Sequence, residues 1–271
     1  MLTETVIPEV GPEIDVNSVL FRNFSIVIPA YNEEDRIDPV LQDLTRFISS
    51  NSLPWNVVIA LDGSDGTEDI IRDYHRTYPF VRFQRSGGRR GKGGAIKRVI
   101  EHIKGEFVII LDADGAARFS DIVQYLPLLD NCDVINFDRY HDSTNSIPLL
   151  RRMASRSFNL FSRIVLGISI NDIQSGYKVI RTTIAKNVFS KITITNVFFC
   201  SPFFYYLKKM HARVLEVPIS YQHAKGSKFS LLSLIMEGFI TTILFRIRNS
   251  PIYSLVPESA KLLYYNKFKR I

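Results

Sequence analysis

The sequence predicts an α/β fold: a mostly parallel central sheet with helices on both faces, plus amphipathic helices at the C-terminal end. Short apolar segments alternate with segments of helical periodicity between residues 24 and 137, which is the pattern of a doubly wound sheet. The 271 residues are 46% hydrophobic and 23% charged, a composition typical of a globular protein with a sizeable core. Composition and periodicity therefore favour one large α/β domain over a disordered chain.

Apolar, β-branched runs mark the predicted strands. In the first half of the chain they cover residues 24–28, 56–61, 81–84, 107–111 and 133–137. Pro29 is expected to end the first strand, because proline cannot donate to a sheet ladder. Hydrophobic spacing predicts helices that begin near residues 37, 67 and 94. In the second half we expect helices over residues 151–166 and 229–248, and strands over residues 177–180 and 214–219.

The charge and cysteine content narrow the classes of partner. A formal net charge of +7 and a pI of about 9.4 favour an anionic partner, although solubility alone explains the surplus equally well. The basic residues near position 90 are not interleaved with aromatic residues, so a nucleic-acid surface is not expected. Cys132 and Cys200 have neither metal-binding nor redox spacing and suit a reducing compartment.

Two aspartates directly follow the fourth predicted strand. Asp112 and Asp114 flank Ala113, and Gly115 allows a tight turn after them. In doubly wound sheets, ligands bind outside the carboxyl ends of the strands. Paired carboxylates there can hold Mg²⁺ or Mn²⁺, which would neutralise a diphosphate leaving group. Surface turns produce the same D-x-D spacing, but its position after a buried strand favours a functional site.

The ends of the first two strands carry polar residues that are predicted to share this edge. Pro29, Tyr31 and Glu33 follow the first strand, and Asp62 ends the second. A ring and carboxylates suit a nucleoside. Each acid also has a purely structural alternative. Glu33 would favour the start of a helix, and Asp62 would be a turn aspartate that hydrogen-bonds its own backbone.

A glycine-rich, basic loop spans residues 85–94 and includes Lys92. Such a loop presents backbone N–H groups at a helix N-terminus, which suits phosphate. It is not a P-loop, because Gly93 stands where Ser or Thr is required. A flexible solvated loop is the alternative. Arg139, residues 172–178 and residues 225–228 belong to further polar turns, each of which is ordinary on its own.

Taken together, these segments resemble the polyprenyl-phosphate glycosyltransferases. Seven of them occur in that family's order: P-A-Y-N-E-E, L-D-G-S-D-G-T, G-K-G-G-A, D-A-D-G-A-A-R-F-S-D, D-I-Q-S-G-Y-K, E-V-P-I and G-S-K. The family consists of inverting, family-2 enzymes of the Rossmann-like GT-A fold. The resemblance covers about residues 24–248 and is strongest to the dolichyl-phosphate β-glucosyltransferase branch.

The resemblance implies a reaction and a role for each matching position. The implied reaction moves a sugar, with glucose from UDP-glucose as first choice, onto dolichyl or another polyprenyl phosphate, for glycan or glycolipid assembly such as protein N-glycosylation. Mg²⁺ or Mn²⁺ would be held by Asp112 and Asp114, and the catalytic set adds Asp172 and Arg139. The implied nucleotide-sugar contacts are Pro29, Tyr31, Glu33, Asp62, Lys92, Asp112, Ala113 and Asp114. The implied acceptor or phosphate contacts are Gln174, Lys178, Lys225 and Lys228.

The sequence departs from the family at two places. Many relatives have acids in a segment like F-D-x-E, whereas the matching stretch here is Phe199-Cys200-Ser201-Pro202. Leu61 stands where many relatives have the first aspartate of D-D-G-S, but Asp62 is retained. The first departure leaves the choice of sugar open.

Three regions are expected along the chain. Residues 1–22 would form a flexible N-terminal arm without the basic and apolar blocks of a signal peptide, and residues 23–225 the GT-A catalytic domain. Residues 226–271 would form a helical, membrane-associated region, since residues 229–248 are apolar with basic ends and residues 261–271 are basic and aromatic. A core helix for residues 229–248 is equally open. No uninterrupted apolar run of about 18 residues occurs, so no spanning helix is predicted.

These expectations place the protein peripherally on the cytoplasmic face of the cell membrane or the endoplasmic reticulum. The expected partners are a nucleotide-sugar, a polyprenyl phosphate and the membrane surface. A homo-oligomer or a separate membrane anchor stays open. Two alternative functions are a sugar-phosphate nucleotidyltransferase and a catalytically inactive relative that acts as a binding protein.

Overall fold

A computed structural model of the chain describes residues 16–85, 88, 91–141, 145, 147–222, 231–259 and 261. Lys225, Lys228 and all but one residue of the basic, aromatic segment 261–271 lie outside this set. So do residues 1–15 of the expected N-terminal arm.

Seven strands form one sheet in the order β3-β2-β1-β4-β6-β5-β7. They are β1 (Phe24–Tyr31), β2 (Asn56–Asp62), β3 (Val81–Arg85), β4 (Phe107–Ile110), β5 (Val134–Asp138), β6 (Lys178–Arg181) and β7 (Val214–Pro218). All neighbours pair in parallel except β6, which runs antiparallel to both β4 and β5. The predicted strands and the mostly parallel sheet are thus confirmed.

The reversed direction of β6 decides what lies at the carboxyl edge of the sheet. Because β6 is antiparallel, its first residue, Lys178, lies at the edge where β1, β2, β4, β5 and β7 end. The segment that precedes Lys178 therefore joins the loops that follow the parallel strands. This brings residues 172–178 to the edge where ligands bind in sheets of this kind.

Helices cover both faces of the sheet, as predicted. They are α1 (Val16–Leu20), α2 (Ile37–Ser50), α3 (Thr67–Thr77), α4 (Gly91–His102), α5 (Ser120–Val123), α6 (Leu149–Leu166), α7 (Thr182–Lys191), α8 (Cys200–Lys209) and α9 (Leu231–Arg248). Alternate residues of β1 point to opposite faces: Ile26 and Ile28 pack in one core with α2, and Val27 packs in the other with α4 and α7. The sequence pattern did not predict α7 and α8.

Two boundaries differ from the prediction by three residues, and several others differ by one or two. β1 continues through Pro29 to Tyr31, because β1 pairs with β4 only as far as Val27 and beyond that point pairs with β2 alone. A proline is tolerated in a strand where one side is unpaired. Helix α4 begins at Gly91 rather than near residue 94, so Lys92 lies in its first turn.

The single tryptophan ties the end of the expected arm to the core. Trp55 is 1% exposed, packs against the rings of Phe24, Phe47 and Phe119, and donates from Nε1 to the Leu20 carbonyl oxygen at 2.8 Å. In α1, Val19 and Leu20 are buried against this core. The packed domain therefore includes residues before the expected boundary at residue 23.

Helix α9 packs on the domain along one side. Phe245 is buried against Tyr205 and Tyr206 of α8, and the ring of Phe239 contacts Phe158 and Phe161 of α6. Its opposite side exposes apolar residues. Within the described part of the chain, no helix combines the length and apolar character needed to cross a bilayer.

Replacing Trp55 tests the aromatic core. Trp55→Ala should lower the free energy of unfolding by about 3–5 kcal/mol, because it leaves a large cavity. Trp55→Phe should cost less, since it keeps a ring and loses chiefly the hydrogen bond to Leu20, worth about 1 kcal/mol. Urea unfolding followed by circular dichroism measures both. As a control, Phe21→Ala at an exposed position should change the free energy of unfolding by less than about 0.5 kcal/mol. A similarly small effect of Trp55→Ala would show that Trp55 is not a core residue.

Candidate active site

The ends of β1 and β2 lie side by side at the carboxyl edge. Tyr31 and Asp62 are partners in the parallel register of the two strands. Tyr31 is 38% exposed, whereas Asp62 is 5% exposed. An accessible ring therefore lies beside a recessed carboxylate, and this pairing suits the base and ribose of a nucleoside.

Hydrogen bonds connect the loops that follow these two strands. Asn32, at φ 55°, accepts the Ser64 N–H through its side-chain oxygen at 3.0 Å. Glu34 accepts the Gly66 N–H at 2.6 Å, and the Glu33 N–H donates to the Thr67 hydroxyl at 2.8 Å. A Cβ at Gly63 would approach the Asn32 side chain to 2.2 Å, so this position requires glycine. The two loops thus form one preorganised wall.

Asp112 follows β4 and forms an ion pair with Lys92 from the first turn of α4. Burial alone would raise the pKa of Asp112, but the Lys92 charge keeps that pKa below its ordinary value. Burial alone would lower the pKa of Lys92, but Asp112 raises it. Gly176 makes room for this pair, since a Cβ there would lie 1.9 Å from an Asp112 carboxylate oxygen. Both groups are therefore charged and closely packed.

The negative charge of Asp114 is compensated less well than that of Asp112. Burial, followed by the charge of Asp112, raises the pKa of Asp114, while Lys92 and Arg36 oppose this shift. The Tyr177 hydroxyl donates to Asp114 at 3.4 Å, and the Ala116 N–H donates at 3.1 Å. Arg36, whose charge acts on Asp114, also pairs with Glu33 of the β1–α2 loop at 2.5 Å.

These two aspartates fit a divalent cation that substrate phosphates help to hold. Mg²⁺ commonly takes one or two carboxylates, with waters and phosphate oxygens completing its shell. The raised pKa of Asp114, caused by burial and by Asp112, indicates that a further positive charge would be accommodated there. Among the described residues, no group of three or more His, Cys, Asp or Glu side chains forms a metal site.

Arg139 and Asp172 form the second ion pair of the edge. The guanidinium donates from Nε and Nη2 to the two Asp172 oxygens at 2.7 and 3.0 Å. Burial opposes the charge, but Asp172 raises the pKa of Arg139 well above its ordinary value. The guanidinium also lies over the rings of Tyr140 and Tyr221, at 5.5 and 5.4 Å from their centroids. Asp172 is 0% exposed, and both of its carboxylate oxygens accept hydrogen bonds from Arg139.

Glu216 of β7 organises the loop that carries Asp172. Its carboxylate accepts the Asn171 N–H at 2.8 Å, the Asp172 N–H at 3.2 Å and the Asn136 amide at 3.0 Å. Burial raises the pKa of Glu216 to about 7, although these hydrogen bonds oppose the shift. Glu216 belongs to the E-V-P-I segment, but the sequence alone predicted no role for it. An acid in a predicted buried strand was the available signal.

Gln174 and Lys178 occupy different environments in the same segment. The Gln174 Nε2 atom is buried and has no hydrogen-bond partner among the described residues. Lys178 is 1% exposed, donates to the Ser175 carbonyl oxygen, and has a pKa lowered by burial. Gln174 therefore has a buried amide group that no described residue satisfies, whereas the Lys178 ammonium stabilises the loop. Cys200, which stands in the segment where many relatives have acids, is buried, and burial raises the pKa of its thiol.

The family model for glycosyl transferase family 2 matches residues 25–189 of this chain. The chain belongs to glycosyl transferase family 2. This span runs from the second residue of β1 through β6 and contains the residues of both ion pairs. Membership confirms the expected enzyme class and decides against the sugar-phosphate nucleotidyltransferase.

Curated relatives in this family carry a common name. Dolichyl-phosphate beta-glucosyltransferase of Trichomonas vaginalis is 28% identical, over 78% of this chain and 69% of the relative. The Dictyostelium discoideum enzyme of that name is 27% identical, over 82% and 74% of the two chains. The Saccharomyces cerevisiae enzyme is also 27% identical, over 76% and 69%.

Solved structures confirm the GT-A fold. Glucosyl-3-phosphoglycerate synthase from Mycobacterium tuberculosis, in complex with Mn²⁺, UDP-glucose and glycerol 3-phosphate, superposes with a TM-score of 0.65 at 16% identity. The match covers 87% of this chain and 85% of that chain. Mannosyl-3-phosphoglycerate synthase from Rubrobacter xylanophilus gives a TM-score of 0.63 at 16% identity, covering 87% and 78%.

The structure gathers most of the predicted residues at one edge. Tyr31, Glu33 and Asp62 lie at the ends of β1 and β2, with Pro29 inside β1. The other members of the gathered set are Lys92, Asp112, Ala113, Asp114, Arg139, Asp172, Gln174 and Lys178. Their individual roles stay predictions, and those of Lys225 and Lys228 concern residues outside the described set.

Glu216 should make stability depend on pH. Because its pKa of about 7 exceeds the ordinary value of 4.5, the folded state holds this proton over a range where the unfolded state has lost it. The unfolding free energy should therefore fall between pH 4.5 and about 7, by about 2–3 kcal/mol from this group. The nearby charges are Asp138, Asp172 and Arg139.

Comparing the wild type with Glu216→Gln isolates this contribution. Urea unfolding at several pH values gives the unfolding free energy of each protein. The difference between wild type and variant should change between pH 4.5 and about 7, because the glutamine amide does not titrate. For the control Glu101→Gln, at an exposed position, the unfolding free energy should change with pH in the same way as for the wild type. Parallel curves for Glu216→Gln as well would show that Glu216 is ionised throughout and would refute the prediction.

Proposed function

We propose that this enzyme transfers glucose from UDP-glucose to dolichyl or another polyprenyl phosphate, with inversion at the anomeric carbon. The observation that carries the proposal is the gathering of both ion pairs, Lys92–Asp112 and Arg139–Asp172, at one edge of a family-2 sheet. The names of the relatives supply the choice of glucose and of the lipid acceptor.

The donor half of the proposed site runs from Tyr31 to Asp114. The Tyr31 ring and the Asp62 carboxylate would contact the nucleoside, and Lys92 would lie near the diphosphate. Asp112 and Asp114 would hold Mg²⁺ or Mn²⁺, which, when bound, neutralises the departing diphosphate. Support comes from the Mn²⁺ and UDP-glucose in the Mycobacterium tuberculosis synthase of the same fold.

The acceptor half is proposed to centre on Arg139. A phosphate monoester is largely dianionic near neutral pH, because its second pKa is about 6, so it needs little help from a general base. Arg139, fixed by Asp172 and two tyrosine rings, would orient that phosphate behind the anomeric carbon. Gln174 Nε2 would donate to the sugar or the acceptor.

The proposed chemistry is a single in-line displacement. An acceptor phosphate oxygen forms a bond to the anomeric carbon as the bond from that carbon to UDP breaks. UDP leaves with the bonding electron pair, and no proton need move in this step. The residues at the edge therefore act by alignment and by stabilising the charge that collects on UDP.

The acceptor lipid would bring this enzyme to a membrane. We propose a peripheral location on the cytoplasmic face of the endoplasmic reticulum or the cell membrane, since the acceptor's hydrocarbon chain lies in the bilayer. Within the C-terminal region that is expected to contact the membrane, the first described helix is α9, which exposes apolar side chains on the side away from the domain.

A panel of radiolabelled nucleotide-sugars tests the proposal. The enzyme is incubated with dolichyl phosphate and either UDP-glucose, UDP-N-acetylglucosamine or GDP-mannose, in the presence of Mg²⁺ or Mn²⁺, and label is counted in the lipid phase. Labelled lipid from UDP-glucose supports the proposal. Label from another donor alone would reassign the sugar. No lipid label from any donor would favour an inactive relative.

Asp114→Asn should abolish most of this transfer. Loss of one preorganised charge at the site is expected to lower kcat at least about a hundredfold. Asp73→Asn is the matched control, because it removes a 72% exposed carboxylate from the second half of α3, away from the helix end that adjoins the edge. The rate of lipid labelling is measured for both. Full activity of Asp114→Asn would remove Asp114 from the proposed site.

A further inference from the structure

Helix α6 exposes an unusually apolar side. Leu149, Leu150, Met153, Leu160 and Ile164 are between 58% and 74% exposed. At about 100° per residue they fall within an arc of about 100° on the helix, opposite the buried Phe158, Asn159, Ser162 and Leu166. Large apolar side chains are thus concentrated on the solvent side of α6, and such patches mark interaction sites.

The adjacent helix α9 also exposes an apolar side opposite its buried side. Met236, Ile240, Ile243 and Ile247 are exposed and recur at helical spacing, within an arc of about 60° opposite the buried Phe245. The two helices pack side by side through Phe158, Phe161 and Phe239, and Arg246 donates to the Val165 carbonyl oxygen at 3.1 Å. We call the nine exposed apolar residues of these helices the α6–α9 surface.

The charges on these two helices are predominantly positive. Helix α6 carries four arginines (Arg151, Arg152, Arg156 and Arg163) and no acid. Helix α9 ends with Arg246 and Arg248, and its Glu237 accepts a hydrogen bond from Asn196 at 2.8 Å. Arg156 and Arg163 are exposed next to the apolar side of α6. An apolar side bordered by arginines matches the boundary between acyl chains and anionic headgroups.

A second copy of the chain fits this surface less well. A two-fold interface brings the same patch of each copy together. The arginines of both α6 helices would then share one interface, and α6 offers no carboxylate to pair with them. Charge complementarity therefore favours an anionic bilayer over self-association.

Helix α6 also connects this surface to the acceptor half of the site. Arg152 donates to the Asn145 carbonyl oxygen at 3.0 Å, and the Asn145 side chain donates to the Arg139 carbonyl oxygen at 2.8 Å. Further along α6, Asn159 accepts the Ile173 N–H at 3.3 Å. A membrane contact on the exposed side of α6 would therefore be one helix away from the loops that carry the Arg139–Asp172 pair.

We infer that the α6–α9 surface docks on an anionic lipid bilayer and thereby presents the Arg139 side of the site to a phosphate carried by a lipid. The identity of that acceptor rests on the proposed function, but docking can be measured without either substrate. Membrane contact was expected of residues 226–271, and α6 adds a second, basic helix to that expected contact.

Vesicle flotation tests the docking directly. The full chain is mixed with phosphatidylcholine vesicles that contain about 30% phosphatidylserine, or with phosphatidylcholine alone. Ile164→Asp should raise the lipid concentration for half-maximal binding about tenfold or more, because it removes one apolar contact and adds a repelled charge. Phe21→Asp, at a 66% exposed position on a different segment, should bind like the wild type.

A charge variant provides a second measurement. Arg156→Gln should weaken binding to the anionic vesicles and reduce its dependence on salt, whereas Lys104→Gln, which removes an exposed cation elsewhere, should not. Failure of the wild type to float, or equal binding by Ile164→Asp and Phe21→Asp, would overturn the inference. So would a wild-type dimer that Ile164→Asp converts to monomer without any change in flotation.

Transfer to a short, water-soluble prenyl phosphate separates this inference from the proposed function. Equal turnover by Ile164→Asp and Phe21→Asp, together with lost flotation of the former only, supports docking through α6. A wild type that floats but transfers no glucose to either acceptor leaves the docking surface in place and refutes the proposed function alone.

Discussion

The structure depends on how negative charge is buried at one edge of a sheet. Asp112 and Asp172 are both packed where water screens them poorly, and each is matched by a cation from another element, Lys92 from α4 and Arg139 after β5. Removing the cation from a fully buried carboxylate such as Asp172 leaves its charge uncompensated, at a cost of about 3–5 kcal/mol, whereas Asp112 is partly exposed and should lose less. Among the described residues no cation forms an ion pair with Asp114, and burial and the charge of Asp112 raise its pKa. That excess of negative charge makes the edge suited to a divalent cation and its diphosphate.

Sheet topology brings these charges together from distant parts of the sequence. Parallel strands deliver Tyr31, Asp62 and Asp112 to the same edge, and the reversed β6 delivers residues 172–178 to it as well. Glu216 of β7 then fixes the backbone of the Asp172 loop from below through two N–H groups. The donor and acceptor halves of the proposed site are therefore held by different elements but supported by one sheet.

Local pattern was sufficient for much of this arrangement. The strands that carry Asp62 and Asp112 have short apolar, β-branched sequences bounded by turns, so period and composition identified them. The antiparallel pairing of β6 was not predictable, because the direction of a strand depends on partners distant in sequence. Pro29 was misread as a strand end, since the tolerance of proline depends on which side of β1 is unpaired. The role of Glu216 was missed because its three hydrogen-bond partners come from two other segments.

Anomalous diffraction at the manganese edge, from crystals grown with Mn²⁺ and UDP, tests the central claim most directly. If the edge holds a cation and a diphosphate, the strongest manganese peak should lie within about 2.5 Å of an Asp112 or Asp114 carboxylate oxygen. The UDP phosphates should lie against the same peak, on the side of Lys92. A manganese peak elsewhere, with UDP bound and both aspartates free of metal, would contradict the account.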